Sequence, residues 1–254
     1  MRIIILIVSF FLLNSHSIYG QNMHLFLLGD TVSSLKGASK KDLKNIRKDF
    51  SQVAQASNLR LYTHEIKGGK ADYKALSSMI ARTRTLPTDV ILFYYTGHGV
   101  RNKMSTSRWP AIYFPKNRQA VESTAIINQL NKKPHSLCVI LADCCNETVS
   151  GKAPSLFSRP FINRALSNKT SSKKQCAGYR SLFSGTKGLI IASGAIPGKR
   201  SWCTEKGSFF TKAFLLSLKH EQHSAKGDWS RIFNRTKQLC KDYQTPQYEL
   251  NIRN

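Results

Sequence analysis

A histidine and a pair of cysteines lie directly after two apolar runs of the sequence. Residues 95–99 read Tyr-Thr-Gly-His-Gly and close one run, and residues 143–146 read Asp-Cys-Cys-Asn and close another. Each run is short, contains β-branched or aromatic side chains and ends in a sharp polar break, which is typical of a buried strand. The pattern therefore predicts that His98 and a cysteine lie at the carboxyl ends of two core strands.

These residue types are those of nucleophilic catalysis. A cysteine thiolate is a strong nucleophile, and it needs a base that can take its proton. Histidine is the side chain whose ordinary pKa lies closest to neutrality. Glycines on both sides of His98 allow a close approach of backbone to substrate, and the amides of Gly99 and Cys145 are placed to donate to a developing oxyanion. We therefore predict a dyad of His98 and Cys145.

The elements that position these residues alternate between strand and helix. Alternation of this kind indicates βαβ units and a mostly parallel sheet, whose carboxyl edge is where sites are built. We expect an α/β fold: a three-layer sandwich with a sheet of about six strands and helices on both faces. Strands are predicted at 23–28, 59–66, 90–94, 137–142 and 187–193, and a short strand or hairpin arm at 109–114. Helices are predicted at 40–56, 71–84, 120–130, 207–218 and 229–243. Pro110 predicts an edge position for its strand.

Length and the first twenty residues set the domain organisation. The 254 residues suffice for one substantial domain. Arg2 precedes an almost unbroken apolar stretch at 3–13, and residues 14–20 are polar and small, which is the anatomy of a signal peptide. The apolar stretch is shorter than the ~20 residues of a spanning helix. We expect residues 1–20 to be removed and the domain at 21–254 to be secreted or periplasmic, without a membrane span; an uncleaved segment would anchor it.

The chain is strongly basic. Lys and Arg number 39 against 14 Asp and Glu, which gives a net charge of +25. Such a surface attracts phosphate polymers, anionic lipid and acidic proteins. The basic residues are spread along the chain, and no nucleic-acid motif of known spacing is present, so we expect no specific nucleic-acid partner. A basic nucleic-acid-binding or surface-binding protein ranks last among the interpretations.

The stretch 146–186 lacks a clear periodicity. Ser, Lys, Gly and Asn dominate it, which predicts a basic, flexible linker with one amphipathic turn or helix at 157–166. The six cysteines show no spacing typical of a zinc site, and we expect neither a metal nor a cofactor. Cys176 and Cys203 both lie in loop-like stretches, and a disulfide between them is a hypothesis for an oxidising compartment.

Five strings of the sequence, in order, resemble those of the metacaspases and related caspase-like peptidases. Residues 95–99 resemble their Tyr-Ser-Gly-His-Gly, and residues 143–145 their Asp-x-Cys. Residues 190–195 resemble the strand after the active-site loop, 207–211 the Gly-Ala-Phe-Thr helix start, and 244–247 the Thr-Pro-Gln segment. The resemblance runs from Met23 to Glu249, and it implies a caspase-like fold and a cysteine endopeptidase acting on proteins or peptides.

The resemblance also implies roles for individual residues. Cys145 fits the Asp-x-Cys register, whereas Cys144 does not, and neighbouring side chains at a strand end point to opposite faces. Cys145 is therefore the expected nucleophile, with Cys144 packed beneath the sheet end. Asp143 becomes an acid of the primary specificity pocket, as in metacaspases that cleave after Arg or Lys. No third carboxylate can be named from the sequence, and the family generally works as a dyad.

The sequence departs from the family pattern at two places. Residues 196–200 read Ile-Pro-Gly-Lys-Arg where metacaspases usually carry a second Asp, and Asn146 replaces the usual His. Asn146 also opens a formal glycosylation sequon, which we interpret as a chance match. The alternative to an active peptidase is a catalytically silent caspase-like binding or regulatory module.

The family often cleaves itself between the cysteine strand and the next strand. The basic residues of 146–186 would be substrates for a basic-specific enzyme, so self-cleavage there is a hypothesis. Acidic residues are few and scattered, which gives little support for calcium activation.

Overall fold

The computed structural model describes residues 20–148 and 176–253. Six strands form the central sheet in the order β11-β8-β7-β3-β1-β2, and all neighbours are parallel except β11 and β8. The sheet confirms the predicted α/β class. Its strands are β1 (Asn22–Gly29), β2 (Arg60–Lys67), β3 (Val90–Thr96), β7 (Leu137–Asp143), β8 (Lys187–Ser193) and β11 (Gln247–Arg253).

Helices cover both faces of the sheet, so the molecule has three layers. The strands β1, β3 and β7 are buried on both faces, which explains their near-continuous apolar sequences. One core cluster joins alternate strand residues to α1, α5 and α6, and the other joins the remaining strand residues to α2 and α3. The helices are α1 (Lys36–Ala56), α2 (Tyr73–Arg82), α3 (Ser123–Asn131), α4 (Ala177–Arg180), α5 (Phe209–Glu221) and α6 (Trp229–Cys240).

The strand predicted at 109–114 belongs to a second, small sheet. Its paired part, β5 (Ala111–Phe114), lies between β4 (Gly99–Val100) and β6 (Gln119–Glu122). The predicted edge position is therefore wrong, because Pro110 precedes the paired residues and removes no hydrogen bond from the ladder. A further hairpin, β9 (Cys203–Thr204) with β10 (Gly207–Ser208), leads into α5.

The end of the predicted linker is helical. Residues 176–186 contain α4 and a π-helical turn, Ser181–Gly185, and bury Tyr179, Leu182 and Phe183 against α1, α5 and α6. Three apolar side chains among polar residues were too few for a periodic signal. Residues 149–175, with the helix predicted at 157–166, lie outside the described residues, as does nearly all of the predicted signal peptide.

The proposed disulfide is absent, because Cys176 and Cys203 are both free. Cys203 pairs with Ser208, immediately before α5, whereas the Cys176 thiol accepts a hydrogen bond from Gln222, immediately after α5. The 13 residues of α5 separate these positions by about 20 Å at 1.5 Å per residue. A disulfide needs Cα atoms within about 7 Å. Within the two described ranges, no helix has both the length and the apolar content to cross a membrane.

Two histidines, the buried His24 of β1 and the half-buried His64 of β2, lie next to each other on one face of the sheet. The His24 ring lies 3.3 Å from the His64 ring through Nδ1 and Nε2, and its other nitrogen lies 3.2 Å from the Asp89 carboxylate. Burial lowers the pKa of His24 despite the Asp89 charge, which raises it, and Lys133 lowers it further. Burial and His24 lower the pKa of His64. Both rings are therefore neutral in the folded state at pH 7.

We predict that His64→Phe reduces the acid sensitivity of folding. Because both folded-state pKa values lie below the ordinary value of 6.5, the unfolded chain binds more protons, and stability is lost as the pH falls below about 6.5. Phenylalanine keeps the stacking on Phe26 and removes one titrating ring. The free energy of unfolding in urea should then fall less between pH 7.5 and pH 5.5 than in the wild type. An identical pH dependence in both proteins would refute this.

Candidate active site

The register of β3 and β7 brings the two predicted catalytic strings side by side. Thr96 is the parallel partner of Asp143, so both strands end at the same level. Beyond them the two chains stay in contact: the Gly97 amide donates to the Asp143 carbonyl over 3.3 Å, and the Arg101 amide to the Glu147 carbonyl over 2.9 Å. The segments that carry His98 and Cys145 therefore run alongside each other.

Gly99 permits the closest approach of these segments. A Cβ atom at Gly99 would lie 2.4 Å from the Cys145 carbonyl oxygen and 2.5 Å from the Cys144 sulfur. On its other side, the Tyr113 amide donates to the His98 carbonyl, which leaves Gly99 at a non-hydrogen-bonded position opposite Ile112. The Gly99 amide therefore faces away from β5.

His98 and Cys145 line one open cleft at this edge of the sheet. The cleft is formed by the segments after β1, β3, β7 and β8, with contributions from the first turn of α1 and from the β9–β10 hairpin. Cys145 is partly exposed, whereas Cys144 is buried in the core layer of α2 and α3. The residues that line the cleft are Leu35, Ala38, Ser39, Thr96, Gly97, His98, Asp143, Cys144, Cys145, Arg200, Ser201, Trp202, Cys203 and Ser208.

Each member of the predicted dyad is held by a neighbour. The Cys145 thiol donates to the Ser201 carbonyl over 3.5 Å, and the His98 Nε2 atom lies 3.5 Å from the Ser34 hydroxyl. Burial raises the pKa of Cys145 and lowers the pKa of His98, although the charge of Asp30 raises the latter. Both groups are therefore neutral at pH 7, an arrangement suited to proton transfer from thiol to imidazole during attack.

Asp143 lies at the floor of the cleft and is 3% exposed. Its Oδ1 accepts from the Ser201 hydroxyl over 2.8 Å, and its Oδ2 accepts from the Thr211 amide over 3.0 Å and from the Thr211 hydroxyl. Thr211 is in the first turn of α5, where free amides and the helix dipole favour a negative charge. The carboxylate therefore caps α5 from another element while it lines the cleft.

A second buried carboxylate joins the same helix end. Asp42 of α1 is fully buried, and both of its oxygens accept from the Ser208 amide, at 3.1 and 3.0 Å. Burial and the charge of Asp143 raise the pKa of Asp42 to about 7, although Lys212 opposes this rise. Burial also raises the pKa of Asp143. We call Asp42 and Asp143 the acid pair.

Sequence reasoning missed Asp42. The sequence lacks the second Asp after β8, and α1 supplies a buried carboxylate instead. Its signal was present: Asp42 precedes Ile46 by four residues and Asp49 and Phe50 by about two turns, on the helix face that is buried. A charged residue on the apolar face of an amphipathic helix marks a position with a buried polar partner.

The segment after Cys145 is closed by backbone contacts and an ion pair. Asn146 is 0% exposed, and its side-chain amide donates to the Arg108 carbonyl over 2.8 Å. A buried, bonded amide is not accessible to a glycosyl donor, so the sequon is unusable in the folded protein. Glu147 forms a bidentate pair with Arg200 at 2.6 and 3.2 Å. Over the described part of the chain, no cluster of His, Cys, Asp and Glu is arranged to hold a metal ion.

Comparisons with known proteins agree with this architecture. The family model described as "Caspase domain" matches residues 22–253. A crystal structure of a Geobacter sulfurreducens protein superimposes with a TM-score of 0.57 and 13% identity, over 90% of this chain and 92% of that chain. Caspase-1 from Spodoptera frugiperda gives a TM-score of 0.54 and 13% identity, over 91% and 86%. A search of curated proteins finds no match.

We predict that Gly99→Ala disrupts this edge of the sheet. The added methyl group meets a backbone oxygen that has no room to move, so the free energy of unfolding should fall by about 1–3 kcal/mol. Gly37→Ala is the matched control, because a Cβ atom there meets nothing within 4 Å. Equal stabilities of the two variants in urea unfolding would contradict the predicted close approach.

Proposed function

Because the chain belongs to the caspase domain family, we propose that it is a cysteine endopeptidase with Cys145 as nucleophile and His98 as proton carrier. The observation that carries this proposal is the shared cleft: both side chains line it, at the ends of adjacent parallel strands. The partial exposure of Cys145 and the burial of Cys144 support the choice of the second cysteine.

The proposed reaction proceeds through a thioester. Cys145 attacks the carbonyl carbon of the scissile bond, and His98 takes the thiol proton. His98 then donates this proton to the leaving amine nitrogen as the C–N bond breaks. A water molecule attacks the thioester with His98 as base, which releases the carboxylic acid and restores the thiol. The developing oxyanion is held by the backbone amides of Gly99 and Cys145.

We propose a preference for Arg or Lys before the scissile bond. The acid pair supports this: Asp143 lines the cleft, and Asp42 is buried behind it. Burial raises the pKa of both carboxyl groups, and the charge of Asp143 raises that of Asp42 further, so a bound cation would stabilise both charged forms. A guanidinium or ammonium group thus gains a charge-assisted interaction that a neutral side chain lacks.

Export and self-cleavage complete the proposal. The apolar segment at 3–13 supports secretion or a periplasmic location. Self-cleavage after a basic residue is proposed for 149–175. It is not proposed at Arg180, because that residue lies in α4 and its guanidinium donates to the Ala56 carbonyl.

Covalent labelling tests the nucleophile. An acyloxymethyl ketone with arginine next to the warhead should label Cys145, and Cys145→Ala should abolish labelling and lower peptide hydrolysis by at least about 10³-fold. Cys176→Ala removes a partly exposed thiol beyond the far end of α5 and controls for unspecific alkylation. Loss of labelling in Cys144→Ala alone would reassign the nucleophile. Peptide binding without labelling would favour the silent binding module.

The acid pair predicts a pH-dependent specificity. The measured quantity is the ratio of two kcat/KM values, one for an arginine peptide and one for its norleucine analogue. The titrations of His98 and Cys145 affect both values equally and therefore cancel in the ratio. Because the free pKa of Asp42 is about 7 and a bound cation lowers it, the ratio should fall as the pH drops from 8 to 6.

Asp42→Asn provides the companion measurement. The variant should lose the pH dependence of the ratio and reduce its value at pH 8 by about 10-fold or more. It should also melt higher than the wild type at pH 8, because the repulsion between two buried carboxylates is removed. A wild-type ratio that is flat with pH would exclude the acid pair from specificity.

A further inference from the structure

Asp30 is a buried carboxylate directly behind the predicted catalytic histidine. It follows the last residue of β1, its amide donates to the Thr96 carbonyl over 3.0 Å, and it is 1% exposed. Its Oδ1 accepts from the amides of Val32 and Ser33, at 3.3 and 3.0 Å, and so shapes the loop that leads to α1. Its Oδ2 is buried and has no hydrogen-bond partner among the described residues.

Gly97 brings Asp30 against the histidine turn. A Cβ atom at Gly97 would lie 2.7 Å from the Asp30 Cβ atom and 2.6 Å from the Tyr95 hydroxyl oxygen. The same hydroxyl donates to the His98 carbonyl over 2.6 Å. The backbone of residues 97–98 is therefore packed directly on the Asp30 side chain, and only a glycine fits between them.

We propose that Asp30 is the positioning residue of His98. Its Oδ1 holds the loop that places Ser34 beside the imidazole, and its free Oδ2 stabilises the imidazolium that forms when His98 takes the Cys145 proton. This inference deepens the proposed peptidase function and rests on it. It adds a third group to a site that the sequence described as a dyad.

Energetic reasoning supports this role. A buried carboxylate oxygen without a partner lowers stability, since neither water nor a donor compensates its charge. An imidazolium that forms nearby in a poorly solvated site supplies that compensation during the reaction. The Asp30 carboxylate therefore interacts most favourably with His98 when the imidazole becomes positively charged. This is expected of a group that stabilises the transition state more than the ground state.

Asp30 is the charged group that raises the pKa of His98. The groups around the ring are the Ser34 hydroxyl, the Tyr113 ring at 6.4 Å and the Cys145 thiol. The same cleft also contains the Asp143 carboxylate, which is bonded to Ser201 and Thr211, and Arg200, which is paired with Glu147. Burial and the nearby acidic groups raise the pKa of Tyr95 well above its ordinary value, so that phenol stays neutral. Burial lowers the pKa of His98, and the Asp30 charge raises it.

The test is the titration of His98 by NMR in the Cys145→Ala background, which removes the coupled thiol. His98 is assigned by the loss of its signal in a His98→Gln variant. Asp30→Asn should lower the pKa of His98 by about one unit. Asp30→Ser, which keeps an acceptor for the loop amides, should do the same and serves if the first variant fails to fold.

Asp89→Asn is the matched control. It removes a buried carboxylate at the opposite edge of the sheet, about 20 Å away along β3, and should leave the titration of His98 unchanged. With Cys145 restored, Asp30→Asn should lower kcat for an arginine peptide about 10- to 100-fold and shift the acid limb of kcat/KM to lower pH.

A His98 pKa that does not change in either Asp30 variant overturns the inference, whatever happens to activity. A loss of activity without that change also overturns it, because it shows a structural role only. The NMR measurement needs no peptidase activity, so failure of the proposed function and failure of this inference remain distinguishable.

Discussion

The active-site edge depends on how the amino end of α5 is held. Asp42 of α1 and Asp143 of β7 both bond to its first residues, through Ser208 and Thr211. The amino end of a helix has backbone amides without intrahelical partners and a partial positive charge. Here two carboxylates from two other elements accept hydrogen bonds at this end and oppose that charge. Since α1, β7 and α5 already share one apolar core, these bonds add a polar connection between the three elements beside the cleft. The same two groups thus fix the position of this helix end and supply the charge for the proposed selectivity for basic side chains, and the ionised pair lowers stability through burial and repulsion.

Glycines provide the second constraint. The chains that leave β3 and β7 run in contact for several residues, and Gly97 and Gly99 stand where side chains would collide with Asp30 and with the Cys145 carbonyl. Their absence of a Cβ atom lets the backbone carrying His98 lie between a buried carboxylate and the nucleophile segment. A motif that reads as Gly-His-Gly in the sequence is therefore a packing requirement on both sides of the histidine.

In the structure, each proposed catalytic group contacts a neighbour other than its dyad partner. The thiol donates to the Ser201 carbonyl, the imidazole contacts Ser34, and burial keeps both groups neutral. Asp143 lines the cleft, and Asp30 and Asp42 are buried behind residues that line it. Under the proposed function, a bound cation or a forming imidazolium would stabilise their charges. Burial thus leaves the charges of these carboxylates partly uncompensated, which lowers stability and would favour the binding or formation of a positive charge beside them.

Periodicity and spacing alone determined the alternating α/β order, six of the strands and the main helices. Burial on both faces leaves continuous apolar runs in the central strands, which made them recognisable. The polar breaks after two of these runs gave the placement of His98 and Cys145. They did not determine the helical turn at 177–185, β11 or the separate small sheet, whose short segments carry too few residues for a periodic signal. Nor did they reveal Asp30 and Asp42. Each lies far in sequence from the strings that carry chemistry, and only the packing of β1, α1 and α5 places its carboxylate next to residues that line the cleft. Tertiary structure alone decided the electrostatics of the site, because burial and distance are properties of the folded chain.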